Sequence, residues 1–180
     1  MVDQQSVEES VVLVDDHDVA LGIMGKLEAH ITGTLHRAVS VFIFNSRGEF
    51  LLQQRAAEKY HSAGKWSNTC CSHPRPNESN ADAARRRLQE EMGMDCDLQE
   101  WFNFTYHAEF DNGLIEHEYD HVFIGQCDEL PIPNPLEVSG FKYIDPQSLN
   151  LAINQNPDDY TEWFKLCLQQ INQSKNADSL

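Results

Sequence analysis

The first apolar run, Val11-Val12-Leu13-Val14, is short and closed by the turn-rich Asp15-Asp16-His17-Asp18, which predicts a strand. A second run from Ala38 to Phe44 is rich in Val, Ile and Phe, and extended structure resumes from Phe50 to Gln54. The polar residues between them, Asn45 to Gly48, predict the turn of a hairpin. Residues 57–77, which include Gly64, Pro74 and Pro76, read as a long loop, and a loop of that length inside a compact domain usually serves function. The period then changes. Ala81, Ala84, Leu88 and Met92 recur at helical spacing, with Ser79 and Asp82 as a variant capping box and Gly93 as the stop.

Two further extended runs, Trp101–Phe110 and Leu114–Gly125, flank Asp111-Asn112-Gly113, and Val138–Ile144 predicts another strand. Asn156-Pro157 is expected to open a last helix, with Asn as cap and Pro at the first position. Its apolar face comprises Trp163, Leu166, Cys167 and Ile171, and a frayed tail is expected from Ser174. Strands with a few helices in this order predict an α+β fold, a sheet with helices packed on it.

At 180 residues the chain fits a single domain with one core. No apolar run approaches the roughly 20 residues that cross a bilayer, and the polar, acidic Met1–Ser10 is neither a secretory signal nor a basic transit peptide. Five scattered cysteines do not make a disulfide framework. The expectation is a cytoplasmic protein with no membrane partner. A net charge of -16 argues against a nucleic-acid partner. Its distribution says more. Ten of the 13 Lys and Arg fall between Lys26 and Arg87, whereas 18 of the 29 acids follow Arg87, so an anionic ligand is expected against the first half. Nothing in the sequence sets the number of copies in an assembly.

Candidate chemistry begins with Glu116 and Glu118, two apart on a predicted strand and therefore on one face. Such a pair is commonly only a solvated surface. His30, His36 and His73 change the balance, because imidazoles and carboxylates together suit Mn²⁺, Mg²⁺ or Zn²⁺. On the helix, Arg85-Arg86-Arg87 with Glu90-Glu91 can be a solvated face held by ion pairs four residues apart. That reading leaves unexplained the combination of Glu78, Leu88, Glu91 and Gly93, which resembles the Nudix box, a loop-helix whose carboxylates bind Mg²⁺ on a diphosphate. Ser72 stands where the box begins with Gly, and Arg87 where it has its first helical glutamate.

Taken with Trp66-Ser67-Asn68-Thr69-Cys70-Cys71-Ser72-His73-Pro74 and Glu116-His117-Glu118, the box resembles the type I isopentenyl-diphosphate isomerases. The resemblance spans about Lys26 to Trp163 and implies a single Nudix-like isomerase domain over residues 1–173, with a mixed sheet. It implies an isoprenoid diphosphate as substrate, interconverted with its allylic isomer through a tertiary carbocation. His30, His36, His73, Glu116 and Glu118 would bind one Mn²⁺, or Mg²⁺ or Zn²⁺ in its place. A second ion, Mg²⁺, would sit with the substrate diphosphate near Glu91. Cys71 and Glu118 would be the acid-base pair, with Tyr106 beside them. Lys26, Arg55, Lys59, Ser72 and Arg87 would engage the diphosphate or substrate, and Trp163 would face the cation. Two other readings stay open: a Nudix-type diphosphate hydrolase, and a zinc-binding module built on Cys70, Cys71 and His73.

One expectation rests on register alone. Tyr106 and Glu118 can cooperate only from one sheet face. A two-residue Asn112-Gly113 turn would place Tyr106 opposite Tyr119, away from Glu118. A three-residue loop closed by a left-handed Gly113 places it opposite Glu118, and that loop is predicted, with His117 on the other face.

Overall fold

The structure, a computed structural model, describes residues 9–59 and 61–177. In chain order it comprises β1 (Ser10–Val14), β2 (Ala20–Gly25), α1 (Lys26–Thr32), β3 (His36–Phe44), β4 (Phe50–Arg55), β5 (Trp66–Ser67) and β6 (Cys70–Ser72). There follow α2 (Asn80–Met92), β7 (Gln99–Glu109), β8 (Ile115–Gln126), β9 (Val138–Ile144), α3 (Pro146–Gln155), a 3-10 turn (Pro157–Asp159) and α4 (Glu162–Ala177). Among the described residues no helix is long and apolar enough to cross a membrane.

The sheet is mixed and β3 is its hub. β3 is antiparallel to β1, β4 and β6, and runs parallel to β8 from His36↔Glu118 to Phe44↔Gln126. β7 pairs with β8, and β9 with β4. A strand covered on both faces needs an almost unbroken apolar run, which is what Ala38–Phe44 supplies. Its alternate residues divide the core. Val39, Val41 and Ile43 pack with Leu88 and Met92 of α2 on one face, and Phe42 packs with Trp163, Phe164 and Ile171 of α4 on the other.

The helix signals at α2 hold in detail. The Ser79 hydroxyl accepts from the Asp82 amide, and Gly93 closes the helix in the left-handed conformation. The turn between β7 and β8 also has the predicted form. Phe110 donates to the Leu114 carbonyl, Gly113 has φ 80°, and Tyr106 pairs with Glu118.

Two expectations need correction. The segment 57–77 is not all loop, because β5 and β6 lie in it, tied to β4 and β3. Asn156 does not open α4: it ends α3, its amide bonding Ala152, and Pro157 opens only the 3-10 turn. α1, β2 and α3 went unpredicted. α4 runs through Ala177, and residues 178–180, the end of the tail expected from Ser174, lie outside the described residues.

Candidate active site

Alternation along the strands builds the site. His36 and Ser40 on β3, Glu116, Glu118 and Asp120 on β8, and Tyr106 on β7 all face the α4 side, because each pairs in register with another of its kind or lies two residues from one. β6 turns Cys70 into the core on the α2 side and Cys71 toward the α4 side. α1 delivers His30, and the loop after β6 delivers His73. Together with Lys26, Arg55, Lys59, His61, Ser72, Arg87, Glu91 and Trp163, most of these groups line one cleft.

At its floor His30, His36, His73 and Glu118 each present one donor atom, all within 4.8 Å of one another. Glu118 Oε1 lies 3.0 Å from His73 Nε2, 3.4 Å from His36 Nε2 and 3.8 Å from His30 Nε2. The His36 ring is fixed by its other nitrogen: Nδ1 sits 2.7 Å from the Thr34 carbonyl oxygen and must donate to it. Its Nε2 points at that Glu118 carboxylate oxygen. Burial pushes His73 down to about 3, so it is neutral near pH 7. Imidazole nitrogens and a carboxylate oxygen converging on one buried point fit a divalent cation, and the Thr34 carbonyl is the outer contact that such a histidine ligand needs.

Glu116 stands beside this set. Its carboxylate is 3.2 Å from the Tyr106 hydroxyl and 3.6 Å from His61 Nε2. Tyr106 donates to Glu118 at 2.6 Å. Burial and then the Glu118 charge push Glu116 well above the usual carboxylate range. Burial opposes ionisation of Glu118 as well, but hydrogen bonding with the three imidazoles outweighs it and holds Glu118 well below that range. Cys71 is raised by burial foremost, and Tyr106 likewise, so both keep their protons.

The basic wall is largely paired with acids. Lys26 bonds Glu9 at 2.9 Å, Lys59 bonds Glu137, and Arg87 holds Glu91 at 2.6 Å and Glu90 at 2.7 Å. Gln53 supports Glu91 from behind at 2.7 Å. The Arg55 guanidinium lies 5.1 Å above the Trp163 ring. His117 faces away, as expected, and reaches the Gly33 carbonyl.

Every residue proposed from sequence for the site is thus on or beside this cleft, although no Glu116 atom is among the four that meet. Missed were His61, Ser40, Asp120 and Glu137. His61 lies in the same 57–77 segment as His73, before β5 rather than after β6, and was the most findable; the Asp120 signal was its two-residue spacing from Glu118.

Residues 34–164 match the NUDIX domain family. A protein of Aromatoleum aromaticum named isopentenyl-diphosphate Delta-isomerase 2 is 53% identical over 165 residues, covering 92% of this chain and 87% of that one. An isopentenyl-diphosphate Delta-isomerase of Pectobacterium atrosepticum is 53% identical over 161 residues, 89% of this chain and 90% of its own. Among solved structures, DR0079 of Deinococcus radiodurans superposes with a TM-score of 0.69 at 21% identity, covering 82% of this chain and 90% of that one. A MutT protein of Methanosarcina mazei Go1 does so at 0.64 and 19%, covering 78% and 95%. The structural likenesses speak for the fold alone.

Proposed function

The chain belongs to the isopentenyl-diphosphate Delta-isomerases of the NUDIX superfamily, and on that premise we propose how its cleft interconverts isopentenyl and dimethylallyl diphosphate. The observation that carries the reading is a proton-holding thiol, Cys71, in one cleft with a hydrogen-bonded Tyr106–Glu118 pair. A hydrolase has no use for that arrangement. A zinc module of Cys70, Cys71 and His73 is disfavoured because Cys70 and Cys71 face opposite sides of the sheet.

Moving the double bond requires a proton delivered to one carbon and another removed nearby, with a tertiary cation between. Cys71, which holds its proton, and Glu118, ionised and placed to take one through Tyr106, are the exchanging groups. His30, His36, His73 and Glu118 would hold a divalent cation, with Glu116 completing the set; Mn²⁺, Mg²⁺ or Zn²⁺ each suits these donors. That ion would supply the positive charge that keeps Glu118 ionised when buried. Trp163 offers its ring to the cation without being able to capture it. Lys26, Arg55, Lys59 and Arg87, with Ser72, anchor the diphosphate far from the reacting carbons, so that binding energy positions the alkene. Glu91 would share a Mg²⁺ with that diphosphate. The free cysteines suit a cytoplasmic location.

Incubation with isopentenyl diphosphate and Mg²⁺, with and without Mn²⁺, tests the reading when dimethylallyl diphosphate and released phosphate are followed together. Isomer without phosphate release is expected, and stripping the metal should abolish it. Phosphate release without isomer would overturn the reading in favour of a hydrolase.

A further inference from the structure

Away from the cleft, two cysteines meet at the open end of the β7–β8 hairpin. The ladder there pairs Gln99 with Ile124 and Glu100 with Phe123. Cys96 lies just before β7 and Cys127 just after β8, and the register extrapolated outward one residue at a time would bring them opposite each other. The chain does stay alongside: a Cβ on Gly125 would lie 2.9 Å from the Asp97 carbonyl oxygen and 2.9 Å from Leu98 Cδ2. Directly opposed residues of an antiparallel pair have Cα atoms about 4.5–5.5 Å apart, inside the roughly 4.4–6.8 Å window of a disulfide.

Both side chains also point the same way. A bulge between Glu100 and Phe102 reverses the alternation of β7, turning Leu98 and Cys96 to the α2 face. Phe123 and Cys127 of the other strand project to that face, and all four pack against one cluster with Leu88 and Met92. Burial raises the Cys96 thiol to about 11, and Cys127 is the next influence on it, ahead of the adjoining Asp95 and Asp97.

We propose that Cys96 and Cys127 are an oxidisable pair that closes to a disulfide by exchange with a small disulfide of the oxidised-glutathione class. One thiol loses its proton and attacks a sulfur of the small disulfide, expelling one small thiolate and leaving a mixed disulfide. The second cysteine attacks the protein sulfur of that intermediate and expels the other. Two protein thiols and one small disulfide become one protein disulfide and two small thiols. The bond closes the base of the hairpin that carries Tyr106, Glu116 and Glu118. Because Cys96 is reluctant to ionise, exchange is slow near neutral pH and faster in alkali.

The full-length folded protein, treated with oxidised glutathione at roughly pH 8.5, is digested without reduction and analysed by mass spectrometry, with free thiols counted. The expected result is a Cys96–Cys127 crosslink, a fall in titratable thiols from five to three, and a melting temperature raised by several degrees that dithiothreitol reverses. Cys96→Ser and Cys127→Ser proteins should each lose both the crosslink and the shift. Persistent glutathione adducts in place of the crosslink, a crosslink joining another pair, or five intact thiols would overturn the proposal. A crosslinked protein with an unchanged melting temperature would overturn its bracing role.

Discussion

At the residue scale, adjacent cysteines have opposite fates because strand side chains alternate. Cys70 is fully buried against α2, while Cys71 lies in the cleft with its proton held by burial. Cys71→Ala should therefore lower turnover by at least 10³-fold, on the order expected for a lost acid-base group, with the melting temperature little changed. Cys70→Ala should keep most activity and cost on the order of 1 kcal/mol of stability. Equal losses of activity in the two variants would contradict the assignment. His61 gives a second test. Burial first, and Arg55 second, depress its pKa from 6.5 to about 3, so the folded protein keeps it neutral while the unfolded chain protonates it. Its contribution to stability is present above pH 6.5 and is lost as the pH falls toward about 3. For the metal-free protein this loss is about 1.4 kcal/mol per pH unit, and His61→Asn should lack it. Urea unfolding at several pH values below 6.5 should show the variant gaining on the parent by about that slope; parallel profiles would contradict a neutral buried His61.

At the element scale, what was legible was whatever left a periodic trace. β3, β7, β8 and α2 have long patterns and clear stops, and the need for Tyr106 to share a face with Glu118 selected the three-residue loop over the two-residue turn that Asn112-Gly113 also allows. α3 carries only a short stripe, Leu149, Ala152 and Ile153, of which Leu149 alone is buried, and β2 exposes Leu21 and Ile23 where a solvent-facing strand would show polar residues. α1 is a seven-residue helix, too short for a pattern. The Asn156-Pro157 signal was real but ambiguous, since Asn can end a helix as well as begin one. Two glycines separate conformational need from close packing. Gly113 has φ 80° and open space around it, so Gly113→Ala should cost about 1 kcal/mol. Gly93 has φ 62° and would set a Cβ 2.5 Å from the Ile132 carbonyl oxygen, so Gly93→Ala should cost distinctly more. Denaturant melts giving the opposite order would refute the close approach.

At the scale of the whole molecule, the uneven charge becomes intelligible. The chain is acidic overall, yet Lys26, Arg55, Lys59 and Arg87 converge on one cleft from α1, β4, the following loop and α2. Sequence could sort these residues by sign but could not show that acids already occupy the basic wall. Glu9 holds Lys26, and Glu137 holds Lys59 and approaches Arg87 at 3.6 Å. A diphosphate must compete with both, and contacts between residues so far apart in the chain leave no local signature. The central claim is that Cys71 and the Tyr106–Glu118 pair exchange protons with the alkene across this cleft. Its most direct test is the reaction of isopentenyl diphosphate in D₂O with the Mg²⁺-loaded protein, followed by NMR. Dimethylallyl diphosphate whose newly formed methyl group carries solvent deuterium is the expected product. Product formed without solvent deuterium, by a hydrogen shift within the substrate, would contradict that claim.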